Sequence, residues 1–328
     1  MPRTSSQKLK ILRVAEILYT LSDQEHPLTV AEILTELDKL GIHAERKSVY
    51  DDLDALRTVG MDIIQVRGRS SGYYLGSRRF ELAELKLLCD CVQSSQFITK
   101  KKTANLLRKL ENFASVYEAG ELSRQIYQTG RVKTTNESVL YNVDELSRAI
   151  DRNCVVRFQY REYTISKQQK LRHNGRVYEL SPYALIWDRD RYYLLAWDEK
   201  NAAFKHFRVD RMVNVIPLPQ ERLGREEFAK LDLSRYSRMI FGMFSGEEKL
   251  VTMRFHSSLV NAVVDHFGRE PAFVPDGEEH FTITVPVMIS PQFFAWLFSF
   301  GEKAEILSPA DVRQAMAARI REAGALYE

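Results

Sequence analysis

Histidine and cysteine side chains are common in catalytic and metal centres, and their spacing in this chain predicts neither kind. The seven histidines are scattered, and none stands at metal-ligand spacing from another. Cys89 and Cys91 are separated by one residue in an apolar stretch, without the nearby Cys/His pair that a zinc site needs. The sequence has no Walker A loop, no G-X-S-X-G elbow and no H-E-X-X-H motif. We therefore expect no enzyme activity, no metal and no cofactor.

The composition is typical of a globular chain with more than one domain. A length of 328 residues exceeds one ordinary core, so two or three domains are the first expectation. No apolar run of about 20 residues occurs, which predicts no membrane association. Three cysteines cannot form a disulfide framework and suit a reducing cytosol, so we expect a cytoplasmic protein. The net charge of +3 is too small to indicate a nucleic-acid partner by itself.

The first part of the chain has a helical pattern. Apolar residues at helical spacing predict a first helix over residues 6–21. Thr29 and Glu32 form a capping-box pattern that predicts the start of a second helix, which Gly41 ends.

A third helix and a hairpin follow, in the order of a winged helix-turn-helix. Val49, Leu53 and Leu56 share one face of this helix, which turns its polar residues outward. Two extended runs, 63–66 and 72–75, flank a basic Gly/Ser turn and predict the hairpin. We expect the helix to enter the major groove of double-stranded operator DNA, with the hairpin near phosphates. The predicted DNA contacts are Arg46, Lys47, Ser48, Tyr50, Arg67 and Arg69.

Two features of the third helix argue for modest DNA affinity. Asp51, Asp52 and Asp54 would repel phosphate, and His43 or Ala44 is a poor N-cap. Dimerisation on inverted half-sites would compensate, so a homodimer is expected. The alternative is a small helical domain that binds protein. Residues 79–141 are helical by period and predict a connector or dimerisation segment.

From Val155 the apolar period changes to two, which predicts short strands and a small barrel. The predicted strands are Val155–Tyr160, Arg176–Leu180, Tyr183–Trp187, Arg191–Trp197 and Phe204–Val209. In the last of them, alternation places Phe207 and Val209 on the core face and His206, Arg208 and Asp210 on the other.

Three stretches of this region resemble the WYL domain family. They are Ser181-Pro182-Tyr183-Ala184-Leu185, Arg191-Tyr192-Tyr193-Leu194 and Phe207-Arg208-Val209-Asp210-Arg211. Tyr192 stands where the family usually has Trp. The resemblance implies an Sm-like, SH3-like barrel that binds an effector, in a bacterial regulator behind a winged helix. Val49-Tyr50-X-Asp52-Leu53 is similar to the family's DNA-binding domain, although Asp51 stands where relatives often have Arg.

A nucleic acid or nucleotide is the effector that this resemblance implies. Arginine offers two parallel donors to phosphate, and tyrosine offers a stacking face. The predicted effector contacts are Ser181, Tyr183, His206, Arg208 and Arg211. The alternative is structural: Arg208 or Arg211 pairs with Asp210 and holds the barrel rim.

The last part of the sequence predicts a strand–helix–strand–strand–helix–strand order with a final helix, which is ferredoxin-like. Its predicted elements are strands at Leu250–His256, Pro271–Val274, His280–Met288 and Glu302–Leu307, and helices at Ser257–Gly268, from Ser290-Pro291 to Gly301, and after Ser308-Pro309. It resembles the C-terminal extension found beside WYL domains.

The sequence thus predicts a multidomain α+β protein. The expected domains are a winged helix-turn-helix at 1–78, a helical connector at 79–141, a WYL barrel at 142–222 and a ferredoxin-like extension at 223–328. The predicted function is effector-controlled, sequence-specific transcription regulation, with repression expected. A DNA-binding protein without an effector, whose C-terminal half is an oligomerisation scaffold, is the alternative, and an enzyme is the remote one.

Overall fold

The structure is a computed structural model that describes residues 3–68, 71–122, 132–233, 236, 239–244 and 246–328. It is a mixed helix and sheet protein with open sheets. The chain divides into two compact units, Met1–Glu137 and Ser138–Glu328.

Three helices and a two-stranded hairpin begin the first unit. They are α1 (Arg3–Leu21), α2 (Val30–Lys39), α3 (Arg46–Thr58), β1 (Ile63–Val66) and β2 (Gly72–Leu75). The two strands are antiparallel, with Ile63 opposite Leu75 and Val66 opposite Gly72. The apolar faces of the three helices meet in one core, because their buried residues recur at helical spacing. That core contains Val14, Leu18, Ile33, Leu37, Val49 and Leu53.

The helix starts agree with the sequence at α2 and differ at α3. At α2 the Thr29 side chain accepts from the Glu32 backbone, and the Glu32 side chain accepts from Thr29, so the capping box is confirmed. The N-cap of α3 is Glu45, which makes no side-chain capping bond. The prediction of His43 or Ala44 as the cap was therefore wrong by one or two residues.

Three further helices complete the described part of this unit: α4 (Leu82–Ser94), α5 (Lys100–Glu111) and α6 (Val116–Leu122). They enclose a small core of their own, with Leu85 and Cys89 buried. Cys91 is exposed and Cys154 is half-buried, and all three thiols are free.

The second unit begins with a helix and a sheet. Its elements are α7 (Val139–Asp151), β3 (Cys154–Tyr163), β4 (Gln169–Leu171), β5 (Val177–Asp188), β6 (Arg191–Asp198), β7 (Ala203–Arg208) and β8 (Met212–Glu221). The sheet order is β4-β3-β5-β6-β7, and β8 pairs with β3.

This sheet differs from the prediction in three ways. The two strands expected at 176–180 and 183–187 are one strand, β5, because a bulge near Tyr183 lets the pairing with β6 continue past Pro182. Strands β4 and β8 were not predicted. Strand β7 ends at Arg208, since Val209–Arg211 is a 3₁₀ turn that leads into β8.

A short helix, α8 (Arg225–Ala229), precedes a four-stranded antiparallel sheet in the order β10-β11-β9-β12. The elements are β9 (Glu247–His256), α9 (Val260–Phe267), β10 (Val274–Asp276), β11 (His280–Ile289), α10 (Pro291–Phe298), β12 (Ala304–Ser308) and α11 (Ala310–Gly324). The strand predicted at 271–274 instead begins at Val274. Ser290 caps α10 with Pro291 in its first turn, as its sequence predicts.

Candidate nucleic-acid and effector sites

The outward surface of α3 presents cationic and aromatic side chains to solvent. Arg46 and Lys47 are exposed in its first turn, and Tyr50 is 39% exposed. The Tyr50 ring contacts the Tyr73 ring of β2 edge-on, with centroids 6.4 Å apart. Two cations, a phenol and the uncapped backbone N–H groups of the helix start therefore lie on one accessible surface.

Ser48 lies on the same turn but is engaged inside the domain. The buried Lys10 ammonium donates to the Ser48 carbonyl at 3.2 Å and to its hydroxyl. The same ammonium lies 2.9 Å from an Asp52 carboxylate oxygen, and that aspartate is itself buried. Asp52 is thus neutralised by α1 instead of facing phosphate.

Asp54 pairs with a cation of the same helix at the surface. Arg57 binds the Asp54 carboxylate at 2.9 Å and donates to the Ile63 carbonyl at 2.9 Å. Its guanidinium lies 5.6 Å from the centroid of the Tyr73 ring. Of the three aspartates expected to repel phosphate, Asp52 and Asp54 are paired with cations, while Asp51 and Asp54 stay exposed. The electrostatic objection to a DNA contact at α3 is correspondingly smaller.

The hairpin is fixed against the loop before α2. Leu28 and Tyr73 exchange two backbone hydrogen bonds of 2.8 and 2.7 Å. A Cβ at Gly72 would lie 2.8 Å from the Leu28 backbone, so this close approach requires glycine. Arg67 is exposed at the end of β1. Arg69, the other predicted contact of the turn, lies outside the described residues.

The structure brings four of the five predicted effector contacts to one face of β5, β6 and β7. Directly opposed residues point to the same side of a sheet, and the pairs Ser181–Trp197, Leu195–His206 and Tyr193–Arg208 are in register. The Tyr183 ring joins this face, because it meets the Phe204 ring edge-on at 5.8 Å. We call it the β5–β7 face.

Ser181 and Tyr183 are buried and bound to the chain that follows the sheet. The Leu223 backbone N–H donates to the Ser181 hydroxyl at 2.8 Å, and the Tyr183 hydroxyl donates to the Leu223 carbonyl at 2.9 Å. Arg222 stacks over the Tyr183 ring at 4.5 Å. Burial raises the pKa of Tyr183, with Arg222 opposing the effect. Both polar groups have partners within the chain.

His206 is half-buried on the β5–β7 face and uncharged. Burial lowers its pKa to about 4, so the ring is neutral near pH 7 and supplies no positive charge for a phosphate. It stacks on Tyr236 at a centroid distance of 5.7 Å. Neither ring nitrogen has a hydrogen-bond partner among the described residues.

Arg208 and Asp210 form a bidentate pair at the end of β7. The distances are 3.1 Å from Nε to Oδ1 and 2.7 Å from Nη2 to Oδ2. Burial acts to lower the pKa of Arg208, but the bonds to Asp210 outweigh it and raise the pKa. Arg191 donates to the same carboxylate at 3.0 Å. The Arg208 backbone N–H donates to the Tyr160 hydroxyl at 3.2 Å.

Arg211 lies in the 3₁₀ turn after β7 and is half-buried. Asp210 lies in that turn too and is buried, so it does not continue the strand alternation that the sequence predicts. Two arginines hold this aspartate, Arg208 and Arg191, and the second was not anticipated.

Sequence reasoning missed the segment that covers the β5–β7 face, which we call the cover segment (described residues 223–233, 236 and 239–243). Phe228 stacks on Tyr183 at 4.4 Å. Gly224 has φ +85°, and a Cβ there would lie 2.4 Å from the Trp197 ring, so the backbone passes directly over that ring. Leu195 packs with Tyr236, Ile240 and Met243 in one buried cluster. The apolar residues of this segment, among them Phe228, Tyr236 and Ile240, were the available signal.

No group of three or more His, Cys, Asp or Glu side chains within the described ranges is arranged to hold a metal ion. None of the helices described combines the length and apolar character that a membrane span needs.

Two domain families match the second unit. Residues 141–217 match the WYL domain, and residues 247–324 match the WCX domain. The chain is therefore a WYL-domain protein. All five predicted effector contacts lie within the WYL domain, and the cover segment lies between the two domains.

Proteins similar to this WYL-domain chain include a bacterial regulator. The uncharacterized HTH-type transcriptional regulator YobV of Bacillus subtilis is 20% identical over 294 residues, which cover 86% of this chain and 90% of the relative.

Two solved structures are also similar. Proteasome accessory factor B/C (PafBC) of Arthrobacter aurescens is 18% identical, with a TM-score of 0.29. The match covers 100% of this chain and 51% of that one, so this chain spans about half its length. A CRISPR Cas-related protein is 13% identical with a TM-score of 0.36, over 98% of this chain and 92% of that chain.

Proposed function

We propose that this WYL-domain protein is a sequence-specific, DNA-binding transcription regulator whose DNA binding responds to an effector. The observation that carries the proposal is the surface of α3, where Arg46, Lys47 and Tyr50 are exposed while Val49 and Leu53 are buried. The regulator relative from Bacillus subtilis supports the same function. We take the chain to be a binding protein and not an enzyme.

We interpret the α1–α2–α3–hairpin order as a winged helix-turn-helix. In that interpretation Lys47 and Tyr50 meet base edges and Arg46 meets phosphate, because the first turn of a recognition helix faces the major groove. Arg67, with Arg69 beside it in sequence, contacts phosphate from the hairpin. Ser48 contributes indirectly, since its hydroxyl already binds Lys10.

We place the effector, a nucleic acid or nucleotide, on the WYL domain beside Arg208 and Arg211. Arg208 is held in a fixed orientation by Asp210, and its side chain is 23% exposed. A guanidinium that is fixed in this way can bind phosphate with little loss of side-chain entropy. Ser181, Tyr183 and His206 become available to a ligand when the cover segment leaves them.

The remaining parts of the proposal concern the domain folds, the oligomeric state and the mode of regulation. We interpret the β10-β11-β9-β12 sheet with its helices as a ferredoxin-like fold beside an SH3-like WYL barrel. A homodimer supplies a second α3, which doubles the DNA surface on an inverted repeat. Repression is the mode of regulation that we expect, in the cytoplasm.

The experiment is selection of genomic DNA fragments by the purified full-length chain, with and without cell extract. A shared inverted-repeat motif that extract enriches or depletes supports the proposal. Fragments without a common motif contradict sequence-specific binding. Light scattering on and off the selected DNA tests the dimer, and a monomer under both conditions contradicts it.

The alternative function is DNA binding without an effector. Thermal melting against nucleotide and oligonucleotide pools separates the two, because a ligand that binds the folded state raises the melting temperature. A shift that Arg208→Ala removes supports effector control. A flat response in every pool favours the alternative.

A further inference from the structure

Helices α10 and α11 enclose an apolar groove on the surface of the WCX domain. The residues that line it recur on each helix at positions i, i+3, i+4 and i+7, so each helix contributes one continuous face. Pro291, Phe294 and Phe298 line it from α10, and Met316 and Ile320 line it from α11. We call it the α10–α11 groove. It shares no residue with α3 or with the β5–β7 face.

Apolar side chains of the groove remain accessible to water. Phe298 is 57% exposed and Ile320 is 45% exposed. Ala295 and Ala323 occupy further lining positions, and their short side chains leave the space between the walls open. Removing apolar surface from water is favourable in proportion to its area. The groove therefore favours an apolar ligand.

A single cation accompanies this apolar surface. Among the described residues that line the groove, Arg319 alone is charged. Its guanidinium is exposed and lies 4.4 Å from the centroid of the Phe294 ring, and one of its N–H groups donates to the Ala315 carbonyl at 3.3 Å. No carboxylate in the described part of the chain forms an ion pair with it. The remaining N–H groups can hold a carboxylate through two parallel hydrogen bonds.

The size of the groove fits a small ligand. It encloses about 220 Å³, which is below the range of roughly 300–1,000 Å³ for pockets that hold drug-sized molecules. Each wall runs seven residues along its helix, about 10 Å in all, which is the length of an extended octyl chain. A stable interface with a second protein chain buries about 800 Å² on each partner, more than this groove can supply. A slender amphiphile therefore fits better than a protein.

We propose that the α10–α11 groove binds a medium-chain aliphatic carboxylate, with the alkyl chain between the two helices and the carboxylate on Arg319. The apolar walls select an alkyl chain, and the exposed guanidinium selects an acid over an amine. The site belongs to the WCX domain and uses residues separate from the proposed DNA and effector contacts. It therefore does not depend on the proposed function.

The test is isothermal titration calorimetry of the full-length chain with octanoate at concentrations below its micelle threshold, where we expect saturable binding. Hexanoate, which is two methylene groups shorter, should bind about tenfold more weakly than octanoate. Octylamine, which carries the opposite charge on the same alkyl chain, should also bind about tenfold more weakly. Arg319→Gln should weaken octanoate binding about tenfold or more and remove most of the difference from octylamine.

Matched controls make the result specific. Arg321→Gln removes an exposed arginine of α11 that does not line the groove, and this variant should bind octanoate as the wild type does. Ala295→Phe should fill the groove and abolish octanoate binding, whereas Ala310→Phe, at an exposed alanine outside the groove, should not. Equal affinity for octanoate and octylamine, equal losses in the two arginine variants, or no octanoate binding would overturn the proposal. So would light scattering that shows a wild-type dimer and an Ala295→Phe monomer, since a second copy of the chain would then cover the groove.

Discussion

Arg208 holds the Asp210 carboxylate through two parallel hydrogen bonds, of 3.1 and 2.7 Å, at the end of strand β7. Arg191 binds the same carboxylate, and the side chains of the two arginines are 23% and 20% exposed. Arg191 is therefore a suitable control for Arg208, because the two side chains have the same charge, a similar exposure and the same partner.

We expect Arg208→Ala to abolish the effector response while operator binding by the free protein is retained. Losing a charge-assisted hydrogen bond to the ligand costs about 1.5–3 kcal/mol, or about ten- to a hundredfold in ligand affinity. Arg191→Ala should leave the effector response nearly intact. Calorimetric titration and operator binding of both variants provide the comparison. Equal losses of effector affinity and operator binding in the two variants, with lowered melting temperatures, would assign Arg208 a structural role.

Lys47→Ala and Tyr50→Ala should each weaken operator binding without unfolding the protein. The two side chains are exposed on α3, and a lost base or phosphate contact costs about 1–3 kcal/mol. Lys86→Ala on α4 is the control, since Lys86 is an exposed lysine of the same unit. Gel-shift titration at constant salt measures the effect. Wild-type operator affinity in both α3 variants would refute the docking of this helix.

The hairpin should contribute equally to the binding of all DNA sequences. Arg67→Ala removes an exposed cation that we expect near phosphate, so binding to operator and random DNA should fall together. The slope of log K against log salt should shrink by about 0.9 for one lost phosphate contact. A change confined to one base preference would show that Arg67 reads sequence.

The buried pair of Lys10 and Asp52 should be a stability determinant of the first unit. Lys10→Met leaves the Asp52 carboxylate buried without its cation, which costs about 3–5 kcal/mol in unfolding free energy. Lys8→Met, at an exposed position two residues earlier, should be neutral. The double variant Lys10→Met/Asp52→Leu should recover much of the loss. Urea unfolding measures all three, and a neutral Lys10→Met would contradict the role assigned to the pair.

The second unit should lose stability as the pH falls from 7 to 5. The pKa of His206 is about 4 in the folded chain and about 6.5 when unfolded, so the unfolded state binds more protons within that window. At pH 5 the difference destabilises the fold by about 2 kcal/mol. The pKa of His266 is also lowered to about 4, by burial and then by Arg189, and adds a similar dependence.

His206→Phe should remove the His206 share of this pH dependence. His173→Asn is the control, because His173 is exposed and has the left-handed backbone that asparagine tolerates. Urea unfolding at pH 7 and pH 5 gives the comparison. An unchanged pH dependence in His206→Phe would show that this ring is accessible to protons in the folded state.

Local patterns in the sequence predicted the elements of this chain well. Capping residues and apolar spacing act within a few residues, so α2, α3, α10 and the strand starting near Leu250 were identified from the sequence. The bulge at Tyr183 was not, because a strand that continues through a bulge has the same residue pattern as two strands and a turn. Strand β8 contains Pro217 and Pro219, and prolines argue against strands in a sequence.

The candidate sites were less predictable than the elements. Alternation placed His206 and Arg208 together, as the register with β6 shows. It could not show that Ser181 and Tyr183 bind Leu223, or that Lys10 neutralises Asp52, since each contact joins residues about 40 positions apart. Contacts of that range depend on the packed fold.

The cover segment occupies the β5–β7 face and therefore competes with any ligand that binds there. A ligand on that face must first displace Phe228 and Tyr236, so its measured affinity is its intrinsic affinity multiplied by the fraction of uncovered molecules. If about 1% of molecules are uncovered, the measured affinity is about a hundredfold weaker. The measured ligand affinity would therefore depend on how often the cover segment leaves the face. Shortening or cutting this segment would change the sensitivity of the protein to the ligand without altering any residue that contacts the ligand.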